Sequence, residues 1–380
     1  MATDKTYNYK IFDITGSSEL NPVSIPNVID APSFNMKVND GYGELRLRIS
    51  STLESYDSVY DFMNLVKVFE VDSVTPQGRL IYQGHIEEVN PFKIGSDEGV
   101  DLGLVGLNSH LDNAFYETSL TDPGVTFINV DPSEIYRAII DNFRAGNSGT
   151  YGDLISYGDS TIEDAGVTVS LNFEGKTWKQ AIDEAFKISG GGFYWFIDVN
   201  GVFHFQSRPT SATHTFTVGK DVEELIGRGN IKNIKNEATL EFGASTNGVG
   251  ATYITAFGST SIEAYGKRKL FFKDNRINSL ATASNKVVGA IDNEKDLKQG
   301  ARTVINSNFD NTSGVLPGDT AKFQNLGMSL RIFNDNMFIT DVNYTRDRVT
   351  IQFEESLDSI ESQLNALFDQ RDRRRDEQLN

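Results

Sequence analysis

Four histidines, His85, His110, His204 and His214, are the chain's only imidazoles. All four lie on strand or turn patterns, and no two have the i, i+4 helical spacing with which a zinc hydrolase presents its ligands. His204 and His214 are close enough in sequence to meet, but packing in a core or on a surface explains them better. No cysteine is present, which removes thiolate nucleophiles, thiolate metal sites and disulfide frameworks together. Ser189-Gly190-Gly191-Gly192 has the glycines of a phosphate loop, yet it follows a helical pattern instead of opening one and lacks the lysine. A helix exit is the better reading. Asp198, Asn200 and Gly201 form a fragment of a calcium loop without the twelve-residue ligand pattern or its closing glutamate. The pairs Glu87-Glu88 and Glu354-Glu355 would serve glycoside hydrolysis only if two carboxyls faced one cleft about 5 to 9 Å apart. Adjacent residues of a strand point to opposite faces, which argues against it. Tyr194 and Phe196 share one strand face and Trp195 takes the other, so a sugar platform competes with core packing. The expectation is a chain with no catalytic residue, no metal site and no cofactor.

The elements that would position these residues are mostly strands. To about residue 112 the chain reads YNYKIFDI, SFNMKVNDGYGELRLRI, NLVKVFEV, GRLIYQGHIEEV and VDLGLVGL. In GELRLRI, Leu45, Leu47 and Ile49 alternate with Glu44, Arg46 and Arg48, the period of a strand with one buried face. Asn39-Asp40-Gly41 and Pro76-Gln77-Gly78 are turn signals. Five or so short strands with no helical pattern predict a small barrel or sandwich over 1–112.

From 113 to 228 the pattern is mixed. Asp131-Pro132 supplies an N-cap and a first-turn proline for a helix carrying Ile135, Ala138, Ile139 and Phe143. Strand VTVSLNF leads to Thr177, which with Gln180 forms a capping box for a helix bearing Trp178, Ala181, Ile182, Ala185 and Phe186. Gly190-Gly191-Gly192 ends that helix. FYWFIDVNGVFHFQS then gives two aromatic strands joined by Asp198-Val199-Asn200-Gly201, a strong hairpin signal. Trp178 is expected to anchor its helix on these two strands.

Strands return over 229–355 as IKNEATLEFG, GATYITAFG and KRKLFF, then DTAKFQNL, MFITDVNY and RVTIQFEE behind the turn Leu316-Pro317-Gly318-Asp319. Two helical patterns intervene, Leu280, Ala283, Val287 and Ile291, then Leu297, Ala301, Val304 and Ile305. This predicts a second barrel with a helical insertion at about 276–308. Residues 356–380 read as a C-terminal helix, with Leu357, Ile360, Leu364 and Leu367 forming an a/d seam of about two heptads that serves assembly. The fold class is therefore α+β, mainly β: two small β-barrels, an intervening mixed α/β domain, a helical insertion and a C-terminal helix.

Composition narrows the functional classes. A chain of 380 residues is expected to hold two to four units, and 38% hydrophobic with 11% aromatic residues suffices for cores. The 53 acidic against 35 basic residues give a formal charge of -18, which disfavours tight binding of phosphate backbones or anionic membranes. It does not forbid loose passage of DNA. No run of eighteen apolar residues and no apolar leader is seen, so the expectation is a soluble protein made in the cytoplasm with no membrane-spanning segment.

The order of these pieces resembles the baseplate-hub and tail-tip proteins of tailed bacteriophages and of related contractile injection machines. LRLRI and GRLIYQGHIEEV carry the likeness in the first part, and GKTWKQAIDEAFKISGGGFYWFIDVNGVFHF carries it in the middle. IKNIKNEATLEFG, LPGDTAKF and FITDVNYTRDRVTIQFEE continue it. The resemblance implies a non-enzymatic virion protein, a homotrimeric ring whose six barrels match a sixfold tail tube, and a central channel for DNA in transit. Its expected partners are tail-tube or distal-tail proteins on one side and a spike, fibre or lytic protein on the other. Unlike the longer members, this sequence shows no fused hydrolase or fibre after the short helix, so no cell-wall cutting of its own is expected. Rival readings are a tail-associated cell-wall hydrolase, which would need a metal or paired-carboxylate site, and a β-rich carbohydrate-binding adhesin, which would need an exposed aromatic groove.

Overall fold

The computed structural model describes residues 6–20, 28, 31–50, 60–71, 78–114, 116, 124–189, 192–229, 234–243, 252–274, 277, 279–295, 299–306, 314–326, 336–346 and 348–353. Six strands open the chain: β1 (Thr6–Phe12), β2 (Phe34–Lys37), β3 (Leu45–Ser50), β4 (Leu65–Val71), β5 (Arg79–Ile94) and β6 (Asp97–Gly106). Five of them form one antiparallel sheet in the order β1-β4-β5-β6-β3. The predicted alternation holds, because Leu45, Leu47 and Ile49 are buried while Arg46 and Arg48 face water. A side chain on every second residue can meet one core only, and the charged set is left to the solvent.

After a 3-10 turn (Leu107–Asp112) come β7 (Gly124–Val130), α1 (Pro132–Gly146), β8 (Val169–Glu174), α2 (Trp178–Phe186), β9 (Phe193–Ile197) and β10 (Phe203–Ser207). Both helix starts are as the sequence predicts. The Asp131 side chain accepts from the Ser133 N–H ahead of Pro132, and Thr177 and Gln180 close a capping box. The α2 helix ends earlier than expected, at Phe186, before the glycines, with the Ser189 hydroxyl donating to the Ala185 carbonyl at 2.9 Å. Gly190 and Gly191 lie outside the described residues. In the β9–β10 turn Gly201 has φ +78°, and a Cβ there would stand 1.8 Å from the Leu154 carbonyl oxygen. Only glycine fits that approach.

The remaining elements are β11 (His214–Thr217), β12 (Val222–Gly229), β13 (Glu237–Phe242), β14 (Thr252–Phe257), α3 (Ser259–Tyr265), β15 (Lys269–Asp274), α4 (Leu280–Glu294), β16 (Gln299–Asn306), β17 (Thr320–Gln324), β18 (Met337–Tyr344) and β19 (Arg348–Phe353). The second large sheet runs β11-β17-β18-β19-β16-β12, with β2 added against β18. The two large sheets are a half-barrel and a nearly closed barrel, so the fold is mainly β with few helices.

Two expectations are corrected here. The second predicted helix, Leu297 to Ile305, is strand β16, hydrogen-bonded to β12 on one side and β19 on the other. Ala301, Thr303 and Ile305 form one buried face of the strand and Val304 is buried on the other, where Arg302 faces water, so Ala301, Val304 and Ile305 match helical spacing by coincidence. The β-branched run Thr303-Val304-Ile305 favours the strand. Leu297 lies outside the described residues. Second, β13, β14 and β15 do not enter the barrel; they form their own three-stranded sheet, order β14-β13-β15, whose inner face packs on α4 through Ala238, Leu240, Phe272, Ala283 and Val287. The short helix α3 had no counterpart in the sequence reading. The C-terminal helix and its seam, Leu357, Ile360, Leu364 and Leu367, lie outside the described residues.

One continuous core spans both large sheets, holding Ile11, Leu47 and Val68 from the first with Phe323, Ile339 and Ile351 from the second. A separate core fills the middle unit around Phe143, Phe173, Trp178 and Trp195. Strand β9 serves both, because its alternation sends Tyr194 and Phe196 into the first core and Trp195 and Ile197 into the second.

Candidate functional site

The four histidines lie in the first sheet, the middle unit and the second sheet, and each has a partner inside the chain. His85 on β5 and His110 in the 3-10 turn come together, with His85 Nδ1 at 2.6 Å from His110 Nε2. Both side chains are buried, and His110 stacks on Tyr151 at 4.4 Å between ring centroids. Burial lowers the His85 pKa to about 4. Burial, then the neighbouring His85, lowers that of His110 to about 3. The contact was not foreseen, since 25 residues separate the two and neither strand alternation nor turn chemistry marks a pair.

His204 and His214 are not brought together but each faces its own carboxylate. His204 Nε2 is 3.2 Å from Asp198, and His214 Nε2 is 2.8 Å from Asp319. Asp198 also accepts the N–H groups of Asn200 and Val202, both at 2.9 Å. Burial pushes the Asp198 carboxyl up, but the hydrogen bonds from His204, Val202 and Asn200 outweigh it and hold the group below its ordinary value. Asp198 therefore closes an Asx turn, with Oδ1 taken by the backbone and Oδ2 by His204. Asp319 likewise accepts the Leu316 N–H at 3.0 Å and closes the turn into β17.

Glu87 and Glu88 are both exposed, at a register shift in β5. Glu354 and Glu355 lie outside the described residues. Among the described residues no group of three or more His, Asp or Glu is placed to hold a metal ion. Tyr194, Trp195 and Phe196 are 7%, 0% and 5% exposed, so this hairpin offers core packing and no sugar platform. Among the described residues no helix is long and apolar enough to cross a membrane.

Two further polar clusters are present. Glu70 on β4, 1% exposed, receives Arg79 at 3.1 Å and the hydroxyl of Tyr344 from β18 in the second sheet. The Tyr7 hydroxyl stands 3.2 Å from that of Tyr344. Burial, reinforced by Tyr7 and Glu70, raises the Tyr344 pKa far above its ordinary value, so the phenol stays a donor. In the other cluster Lys179 of α2 pairs with Asp183 at 3.4 Å. Burial pushes Lys179 down, and Asp183, Asp40 and Asp112 together hold it above its ordinary value. The Tyr344 hydroxyl ties the second sheet to Glu70 of the first, while the two ion pairs stay local, Arg79–Glu70 between neighbouring strands and Lys179–Asp183 one turn apart in α2.

This fold, two curved sheets on a shared core with a mixed α/β unit and a small inserted sheet, is shared with solved phage tail proteins and with a chain of a VgrG complex. The 43 kDa tail protein of prophage MuSo2 from Shewanella oneidensis superposes with a TM-score of 0.63 at 10% identity, over 92% of this chain and 98% of that one. The prophage tail protein gp18 from Listeria monocytogenes gives 0.59 at 12% identity, over 94% and 97%. A chain of the Francisella PdpA-VgrG complex gives 0.53 at 8% identity, over 93% of this chain and 58% of that one. At these identities the likeness is one of fold. No family profile matches the sequence, and no curated protein matches it.

Proposed function

We propose that the chain is a structural, non-enzymatic hub subunit of a phage tail tip or baseplate, carried in the virion and assembled in the host cytoplasm. One observation carries the reading: the fold match takes in nearly the whole length of this chain and of two prophage tail proteins. The internal partners of every described histidine support it, since a hydrolase needs such groups facing a cleft. In this reading three copies form a ring, the barrels meet the tail tube or distal-tail proteins, and a spike, fibre or lytic protein docks beyond them. VgrG in the Francisella structure is complexed with PdpA, which makes a docked protein at the distal face reasonable here. The charge of -18 suits a channel through which DNA slides without sticking.

The test is the mass in solution. Three copies of 42.1 kDa give about 126 kDa by light scattering at micromolar concentration. A chain that stays monomeric at every concentration up to that of assembly would exclude a self-formed ring.

A further inference from the structure

The partners of the buried histidine pair assign every proton in it. His85 Nε2 is 3.2 Å from the carbonyl oxygen of Ile14, which can only accept, so Nε2 carries the hydrogen and Nδ1 is a lone pair. That lone pair takes the Nε2–H of His110 at 2.6 Å, which leaves His110 Nδ1 to accept the Asn113 amide at 3.0 Å. The donors run in one direction, from Asn113 through His110 and His85 to Ile14. Both rings are neutral and both are satisfied. A further proton breaks the chain of bonds: on His85 Nδ1 it would face the hydrogen of His110, and on His110 Nδ1 it would displace the Asn113 N–H that now donates there.

Four segments hold this chain of bonds. Ile14 follows β1, His85 is in β5 opposite Leu65 of β4, His110 and Asn113 belong to the turn leaving the first sheet, and Tyr151 stacks on His110 from beyond α1. The pair thus sits between the first sheet and the middle unit. The charged groups on those segments are engaged elsewhere: Asp13 with Thr15 and Ser17, Asp112 with Thr177, Asp153 with Arg144, and Lys67 over the Phe12 ring. Tyr151 is the other titratable group in contact, and it offers a ring face. Among the described residues no carboxylate is hydrogen-bonded to either imidazole to receive a positive charge.

We infer that His85 and His110 form a proton-operated latch between the first sheet and the middle unit, closed while both rings are neutral and opened when either takes up a proton. The unfolded or opened chain binds protons with the ordinary histidine value of 6.5, whereas the closed rings hold values of about 4 and about 3. The closed state therefore binds fewer protons between these limits. Its stability is complete above pH about 6.5 and is lost as the pH falls toward 4.

The experiment uses the full chain with carbon-13-labelled histidine. Two of the four ring signals are expected to stay neutral from pH 8 down to about 5, and all four titrating together near 6.5 would overturn the assignment. Amide exchange, corrected for its intrinsic pH dependence, is then compared at pH 7 and pH 4.5. Residues 80–88 and 105–114 should open at least about tenfold more often at the lower pH, with the β13–β15 sheet as the control. Unchanged protection at the junction would equally overturn the latch. His85→Gln, which keeps an acceptor and a donor but cannot titrate in this range, should weaken that response. If this variant does not fold, the wild-type measurements decide.

Discussion

Trp178 shows how a single residue was read correctly in kind and only partly in partner. Its helical position marked it as an internal anchor, and it is 5% exposed. Its direct partners are in α1: the ring meets the edge of Phe143 at 5.3 Å, and Nε1 donates to Asn142 Oδ1 at 2.8 Å. The β9–β10 strands share the same core, where Trp195 of β9 stacks on Phe203 of β10 at 5.7 Å between ring centroids. Trp178→Ala is expected to cost about 3 to 5 kcal/mol, combining lost transfer energy with a cavity and the loss of the hydrogen bond to Asn142. Calorimetry should show the middle unit melting earlier. An unchanged profile would place the indole outside that core. The face of α2 was legible because helical spacing repeats in sequence, whereas its partner helix is 36 residues away and leaves no local mark.

Among the elements, capped helices and hairpins were the most legible, and barrel strands with buried residues on both faces the least. Asp131-Pro132, the Thr177 and Gln180 capping box and the Asp198 turn all act within a few residues, so local chemistry settles them. Strand β16 is set by β12 and β19, which join it from 70 or more residues before it and about 40 after it. The proposed assembly role of the seam Leu357, Ile360, Leu364 and Leu367 belongs at this scale. The described ladders are complete by Phe353, so deleting the residues after Glu355 should leave the sheets folded. The same deletion should weaken trimer formation or docking of the next tail component. Each seam leucine covered on assembly contributes about 1.5 to 3 kcal/mol. Gel filtration and circular dichroism of the truncated chain check both halves, and unchanged assembly would remove the seam from the interface.

Across the whole molecule, the two large sheets are held by apolar packing and by the cluster of Glu70, Arg79, Tyr344 and Tyr7. Tyr344 belongs to the second sheet and its other three members to the first, 274 residues from Tyr344 in the case of Glu70. Since Tyr344 gives its hydrogen to Glu70, Tyr7 donates to Tyr344. Tyr344→Phe would leave a buried carboxylate one donor short and the Tyr7 hydroxyl without its acceptor there. The expected cost is about 1 to 3 kcal/mol, read as a lower denaturant midpoint with the slope unchanged. A midpoint equal to that of the parent would show that the shared apolar core alone joins the sheets. Removing Arg79 should cost more, because it strips the buried charge of its counter-ion.

What the residues determined by themselves is the mainly β class, the alternation of Leu45, Leu47 and Ile49, both well-capped helices, the aromatic hairpin and the lack of any thiol chemistry. These depend on periods of 2 and 3.6 and on contacts a few residues apart. Only the tertiary structure decided that β2 crosses to the second sheet, that β13 to β15 stand as a sheet of their own, and that one core runs through both large sheets. It also decided that His85 meets His110. The physical reason is shared: strand alternation says which side chains seek cover but not which strand supplies it. A buried polar pair is chosen by the three-dimensional path of the backbone, which no spacing along the chain records.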